Sequence, residues 1–399
     1  MKLPDSWHKK PLGELFKKIV VGYVGNVNDH YCDASRGIPF YRTLNIRDGY
    51  FRHDEIRHVT KEFNDKNKKS QIENDDIVIA RVGANLGMVC KVSGLNGMAN
   101  MANAIIIKNK SAKNASSDFY TYFLLSPFGK SQIYAGAAGG AQGVFNTKLT
   151  QEISVPVPPL PEQKKIAQIL STWDKAITTT ERLLANSQQQ KKALMQQLLT
   201  GKKRLLDKNG VRFSGEWSSY LLEKLEELGW VMLGRGNVIS KIDIENTPGD
   251  YPIYSSSVKN NGLMGKYGEY MFDEELITWS VDGGGNFFYR PKHKFSVTNV
   301  SGYMRLNAER LNYQFIAAQL ELHHSKLEFD YQSKAHPSVI RKAYTLTIPS
   351  LDEQKRIAAV LSTADQEISA LQQKLDALKQ EKKALMQQLL TGKRRVKVH

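Results

Sequence analysis

Residues 160–204 read LPEQKKIAQILSTWDKAITTTERLLANSQQQKKALMQQLLTGKKR, and residues 351–395 read LDEQKRIAAVLSTADQEISALQQKLDALKQEKKALMQQLLTGKRR. The two stretches align without a gap at an offset of 191 residues, with 26 of 45 positions identical, and Lys191 to Lys202 match Lys382 to Lys393 throughout. The chain is therefore read as an internal duplication, two half-proteins in series. In the first copy Ile166, Leu170, Trp173, Ile177, Thr180, Leu184, Ser187, Lys191, Leu194 and Leu198 step by four and three. In the second the same steps fall on Ile357, Leu361, Ala364, Ile368, Leu371, Leu375, Leu378, Lys382, Leu385 and Leu389. That period is a coiled-coil seam. The second seam is apolar almost throughout, and the first has a weaker middle at Thr180 and Ser187.

Punctuation supports two long helices. Pro159 and Pro161 stand at the first start, and Ser350 with Glu353 forms a capping box at the second. Gly201 and Gly392, each after a Thr, are C-terminal stops. About 40 residues at 1.5 Å each give a rod of roughly 60 Å. A lone rod would expose its seam, so the two copies are expected to pack on each other. The connection after Arg204 (Leu205–Val211) is too short for a parallel return, so an antiparallel pair is predicted. The fold class is α+β: two globular domains joined by two long antiparallel coiled-coil helices, with pseudo-two-fold symmetry from the duplication. The expected segments are 1–158 for the first globe, 159–204 for the first rod, 205–350 for the second globe and 351–399 for the second rod.

The 399 residues carry 56 basic and 40 acidic side chains, a net charge of +16. That balance favours a polyanionic partner. It is uneven, because residues 1–158 carry 21 basic and 14 acidic side chains whereas 205–350 carry 16 and 17. The second globe, if it meets nucleic acid, must gather its charge on one face. Cys32 and Cys90 make no disulfide framework, and no signal peptide or membrane-length apolar run is visible, so a cytoplasmic protein with no membrane partner is expected.

Along the first globe, LPDSWHKKPLGELFKKI gives a turn and a short amphipathic segment in which Trp7 is a packing residue. Strands are expected in 38–51, 75–83, 88–94 and 102–110, and a helix from 118 up to Pro127. GAAGGAQG at 136–143 reads as a flexible loop. In the second globe Gly215 and Trp217 restart the pattern, SYLLEKLEEL is helical, and ELITWSVDGGGNFFYR (275–290) is strand, glycine turn, strand. LNYQFIAAQLELHH (311–324) parallels 118–133, and TLTIPSLDEQ parallels SVPVPPLPEQ. His323 and His324 read as helix-end residues.

Catalytic motifs are absent. There is no HExxH, no cysteine cluster and no phosphate-binding GxxxxGK[ST], so no metal or cofactor is expected on this chain. Asp75 and Asp76 lack the lysine-bearing strand pattern of a nuclease. What remains is a set of polar and aromatic residues in turns, suited to bases and phosphates. In the first globe these are Arg42, Asn45, Arg47, Arg81 and Asn85. In the second they are Tyr254, Ser255, Ser256, Lys259, Asn260, Asn261, Trp279, Ser280, Asn286, Tyr289, Arg290 and Lys292, with His293 beside them.

The EQK..IA..L start and KK.LMQQLLTGK..R exit, at Glu162–Ile166 and Lys191–Arg204 and again at Glu353–Ile357 and Lys382–Arg395, resemble the repeated regions of type I restriction–modification specificity subunits. PPLPEQ at 158–163, IPFYRTLNIRDGYF at 38–51, NDDIVIARVG at 74–83, YPIYSSSVKNNGLMGKYGEY at 251–270 and SVDGGGNFFYR at 280–290 are similar to that family too. The resemblance implies a non-catalytic subunit whose two target-recognition domains each read one half of an asymmetric, interrupted site in double-stranded DNA. It implies that the helices dock two modification (methyltransferase) subunits and that restriction (endonuclease/translocase) subunits join them. S-adenosylmethionine, ATP and Mg2+ would then belong to the partner subunits. Gln196, Gln197, Gln387 and Gln388, identical between copies beyond what a seam requires, are the expected docking residues. TTTERLLANSQQQ (178–190) lacks the tandem short repeats of some relatives. The rival physical reading is a coiled-coil scaffold carrying two protein-binding globes.

Overall fold

Both repeated stretches fold as single helices of 39 residues, Leu160–Leu198 and Leu351–Leu389. The structure is a computed structural model and describes residues 3–138, 144–257, 259–281, 286–325 and 335–397. The chain divides into two compact units. The first comprises the residues up to Thr180 together with those from Lys374 on, and the second is Glu181–Gln373. Each unit thus holds one globe, the beginning of that globe's own helix and the end of the other helix.

The helices run antiparallel in both units. In the first, Glu162 bonds Arg395 and Asp174 bonds Lys382. In the second, Lys191 bonds Asp365, Ser187 bonds Glu367 and Arg204 bonds Glu353. Partner numbers fall along one helix as they rise along the other. The lysines on the seam are explained by these pairs, since Lys191 and Lys382 each reach across to an aspartate of the facing helix. Ile166, Leu170, Leu184, Leu198, Ile357, Leu361, Leu375 and Leu389 are buried. Trp173, Ile177, Leu194, Ile368, Leu371, Leu378 and Leu385 are half-buried. Thr180 and Ser187 are buried as well, with hydroxyls satisfied by Ala176 O at 2.9 Å and Glu367 Oε1 at 3.0 Å. Toward their ends the helices bury a wider face than a strict seam. Leu198 and Leu199 join the core of the second globe, and Leu389 and Leu390 join that of the first. A stripe widened in this way is what a helix shows when it packs on a globular core.

The first globe has two four-stranded sheets. One runs in the order Arg57–Val59, Ile38–Tyr41, Ala99–Met101, Gln71–Ile72; the other in the order Ile19–Val21, Ala104–Ile107, Ile77–Ala80, Val89–Lys91. The IVIA and AIII runs are fully buried, as unbroken apolar strands must be. Three helices, Ser117–Leu125, Pro127–Ala138 and Thr147–Glu152, follow. The second globe is built on one six-stranded sheet, ordered Val231–Arg235, Ser301–Leu306, Phe272–Ser280, Phe287–Val297, Tyr251–Tyr254, Leu263–Tyr267. Its helices include Leu222–Glu227, Tyr313–His324 and Pro337–Ala343. In each globe the strand preceding the long helix closes a two-stranded ribbon with the strand near the globe's start. His8–Pro11 pairs with Ser154–Val157, and Ser218–Leu221 with Thr345–Ile348.

Several local expectations are corrected. The helix expected up to Pro127 does stop there, ending at Leu125 with Ser126 extended, but Pro127 then opens a second helix that was not expected, a position where its missing N–H costs nothing. That helix runs through Ala138 and takes in Gly136, so the expected loop at 136–143 begins inside a helix, and 139–143 lie outside the described residues. The short amphipathic segment after Trp7, for which no element type was expected, is a strand followed by four helical residues, Leu12–Leu15. SYLLEKLEEL likewise starts as a strand and turns helical at Leu222. The glycines of VDGGGN, 283–285, are outside the described residues.

The duplicated motif residues hold each globe to its helices by the same bonds. Glu162 is buried and accepts from Arg395 Nε and Nη2 at 2.7 and 2.9 Å and from Trp7 Nε1 at 3.1 Å. Glu353 is buried and accepts from Arg204 Nε and Nη2 at 2.5 and 2.7 Å and from Trp217 Nε1 at 3.2 Å. Trp7 is thus more than packing. Gln163 accepts from Ser116 N–H at 2.9 Å and donates to the carbonyls of Asn114 and Pro158. Gln354 accepts from Asn312 N–H at 2.8 Å and donates to those of Arg310 and Pro349. Gly392 and Gly201, both at φ +70°, turn the chain left-handed at the helix exits, where Gly392 lies against Pro4 and Trp7 and Gly201 against Trp217.

Candidate nucleic-acid interface

In the first globe two short turns meet. Thr43–Asn45 follows the strand carrying Phe40 and Tyr41, and Gly83–Asn85 follows the buried strand Ile77–Ala80. Asn85 Nδ2 donates to Thr43 O at 3.3 Å and joins them. Arg42 and Arg81 flank the two turns, both half-buried, and the Nε of each is buried with no hydrogen-bond partner. Arg42 Nη2 donates to Glu55 O at 2.9 Å, which aims the guanidinium. Arg47 Nη1 donates to Ile46 O at 3.1 Å. Asn45 is fully buried, accepting from Arg42 N–H and donating to the carbonyls of Arg52 and Asp54. It fixes the turn and has no surface left to offer a base.

In the second globe residues 255–257 and 259–262 belong to a loop closed where Ser255 N–H donates to Gly262 O at 2.8 Å. Lys259, Asn260 and Asn261 are exposed, and the two asparagines are left-handed at φ 50°. Asn tolerates that conformation better than other side-chain-bearing residues. Arg290 anchors the loop from below. It is 5% exposed, donates to Thr278 Oγ1 at 2.9 Å and Asn261 O at 2.6 Å, and lies 3.6 Å from the Tyr254 ring centroid. Burial pushes its guanidinium down to about 10, and the group stays charged near neutrality. Ser280 is fully buried and donates to Ser256 O at 2.7 Å, a second anchor of the same loop. Trp279 is 1% exposed and donates to Ala335 O at 2.8 Å. Asn45, Trp279, Ser280 and Arg290 are thus buried side chains whose hydrogen bonds run to the sheet and its loops. Tyr254 and Ser256 are half-buried, and Ser255 is tied through its backbone to Gly262. Asn286 meets His324 Nε2 at 3.2 Å, Tyr289 donates to Glu275 at 2.6 Å, and Lys292 is exposed. His324 is no plain helix-end residue, since it also meets the Tyr344 hydroxyl at 3.0 Å. His293 Nε2 meets the Tyr254 hydroxyl at 3.2 Å.

The acidic residues have structural partners. Asp76 is buried, pairs with Lys108 at 2.9 Å and caps the N–H groups of Glu73 and Asn109. Asp75 pairs with Lys91 at 2.8 Å. Among the described residues no group of three His, Cys, Asp or Glu side chains could hold a metal ion, and no helix is long and apolar enough to cross a membrane.

The model of the type I restriction modification DNA specificity domain matches residues 4–186 and again 221–380, once for each repeat. The chain belongs to this family. Among its relatives, "Putative type I specificity subunit S.MpnORF289P N-terminus" of Mycoplasma pneumoniae is 35% identical over 134 residues, 32% of this chain and 70% of that protein. "Putative type I restriction enzyme MjaX specificity subunit" of Methanocaldococcus jannaschii is 24% identical over 99% of this chain and 95% of its own. The crystal structure of the type I restriction-modification S subunit from M. genitalium shares the fold, with a TM-score of 0.63, 14% identity and coverage of 98% of both chains. The chain is a specificity subunit with a non-catalytic role in DNA recognition and docking within a type I restriction–modification complex. Missing from the sequence reading were the two Glu–Arg–Trp joints. Their signal was present, because Glu162/Glu353 and Arg204/Arg395 are identical between copies and Trp7/Trp217 open both globes.

Proposed function

We propose that each globe of this specificity subunit reads one half of a bipartite site in double-stranded DNA. The carrying observation is that the specificity-domain model matches twice, once on each globe, while the helices alone keep high identity between copies. Arg42, Arg47, Arg81 and Asn85 are assigned to the first half-site. Tyr254, Ser255, Ser256, Lys259, Asn260, Asn261, Asn286, Tyr289 and Lys292 are assigned to the second. Arg42 and Arg81 suit guanine acceptors or phosphate oxygens, and Asn suits adenine. The buried Asn45, Trp279, Ser280 and Arg290 act as supports.

Two modification subunits dock on the duplicated helix surfaces, where Gln196, Gln197, Gln387 and Gln388 are exposed. Two equivalent surfaces suit two identical partners. Restriction subunits join that complex, and S-adenosylmethionine, ATP and Mg2+ act on the partner subunits. The test replaces residues 205–350 with the matching segment of a relative of different specificity and maps methylated adenines. Half of the target should change. A change in both halves, or in neither, removes the modular reading. Mass measurement of the purified complex should show two modification subunits per chain.

A further inference from the structure

The shared anchor bonds set up a residue-by-residue correspondence between the two helix-to-globe joints. Gln163 bonds the N-cap residue of one short helix, Ser116, and Gln354 bonds that of the other, Asn312. Six residues on from each N-cap stand Tyr122 and Ala318. The facing ion pairs also correspond, Asp174–Lys382 in the first unit and Asp365–Lys191 in the second.

In the first unit the tyrosine fills its place. The Tyr122 hydroxyl donates to Asp174 Oδ2 at 2.7 Å, and Lys382 Nζ lies 5.6 Å from the ring centroid while bonding Asp174 Oδ1 at 2.5 Å. In the second unit Ala318 supplies no ring. Beside it lies an open cleft of about 330 Å3 that reaches the Lys191–Asp365 pair and is walled by Ala317, Leu361, Phe287 and Tyr289, with Gln314, Glu321 and Ser362 on its polar side. An apolar cavity of roughly 150 Å3 already admits benzene. The walls suit a ring, the aspartate suits a hydroxyl, and the ammonium suits a ring face.

We propose that this cleft is a socket for a tyrosine side chain of a protein partner docked on the helices, its hydroxyl donating to Asp365 and its ring beside Lys191. The proposal rests on the docking reading above, because Lys191 opens the stretch that is identical in both copies. The two docks then differ in one respect. The first is closed by the chain's own Tyr122, and the second waits for a tyrosine from outside.

The probe is p-cresol, the tyrosine side chain without its backbone, titrated calorimetrically into the purified full-length chain. One saturable site is expected, lost in Ala318→Tyr, which supplies the ring in cis. Tyr122→Ala should open a second site. If that variant does not fold, Ala318→Tyr decides alone. No saturable binding to the unaltered chain, or binding that survives Ala318→Tyr, overturns the socket. With the modification subunit as ligand, Ala318→Tyr should weaken binding at one of two sites by tenfold or more, the usual cost of excluding a buried aromatic anchor. Unchanged affinity there, with p-cresol binding intact in the unaltered chain, overturns the partner tyrosine while leaving a phenol site. Failure of the unaltered chain to bind the modification subunit at all refutes the docking reading instead.

Discussion

Replacing Arg204 by alanine isolates the joint that holds the second globe to the helices. Glu353 is 1% exposed, and two of its three donors belong to Arg204. Without them the buried carboxylate keeps, among the described residues, only the Trp217 N–H. Removing one partner of such a pair costs about 3–5 kcal/mol, most of it the penalty of the charge left behind. Native-state hydrogen exchange reads this locally, and is preferred because a chain of two units does not unfold in one step. Amides protected by the second unit should exchange faster by roughly two to nearly four orders of magnitude, at 1.36 kcal/mol per factor of ten. Those of the first unit's strands Ile77–Ala80 and Ala104–Ile107 should be unchanged. Glu353→Gln added to Arg204→Ala removes the stranded charge and should recover part of the loss. The equivalent Arg395→Ala should cost less, about 1.5–3 kcal/mol, because the Arg395 side chain is 45% exposed and water screens the pair. A cost below about 1 kcal/mol for Arg204→Ala, or a double variant no better than the single one, would refute the assignment of Glu353 as a buried charge held by its arginine.

Gln354→Leu strips three bonds from a fully buried amide and leaves one N–H and two carbonyls unpaired, so a loss of about 3 kcal/mol or more is expected in the hydrogen exchange of the second unit's protected amides. Burial lowers the pKa of His324 below 6.5, so as pH falls the unfolded chain takes up that proton first. The associated stability is complete above about 6.5 and is lost as pH falls toward the folded value; His324→Gln should flatten the urea midpoint between pH 7 and 5, and an unaltered slope would assign it to another group. Seven residues added after Leu184 and seven after Leu375 keep the seam and lengthen each helix by about 10 Å. The unread gap in the methylated site should then grow by one to three base pairs at 3.4 Å each, with both half-sites kept, and an active variant that retains the parental gap would show that the helices are no ruler.

The helices were legible because their information is periodic and repeated. Ile166, Leu170 and Leu198 with Ile357, Leu361 and Leu389 announce a seam whichever globe surrounds them. The antiparallel direction of the helices is carried by cross-helix pairs such as Asp174–Lys382 and Lys191–Asp365, which the repeat places at matching positions in both copies. The strands IVIA and AIII declared themselves as unbroken apolar runs, and both are fully buried. Less legible were elements shaped by tertiary contact, such as the strand at His8–Pro11, whose hydrogen bonds come from Ser154–Val157 some 145 residues away. Composition nominated the loop residues but could not divide them. Arg42 and Arg290 look alike in sequence, yet one keeps an unpaired Nε and the other spends its donors on Thr278 and Asn261. The difference lies in whether a loop folds over the guanidinium, which no local pattern encodes.

The exchange of helix ends has a consequence for how the protein is made. The second unit is continuous in sequence, so every residue it needs has been synthesised once Gln373 has emerged. The first unit is not. Its core takes Leu389 and Leu390, and its buried Glu162 takes Arg395, so the globe translated first waits longest for its last pieces. The usual order, in which N-terminal domains settle first on the ribosome, is inverted. A ribosome that stops shortly after Gln373 would release a chain whose C-terminal half is sound and whose N-terminal half carries an open apolar face and a carboxylate, Glu162, that has lost its arginine and keeps the Trp7 N–H. Truncation at one end would be felt by proteases and chaperones at the other.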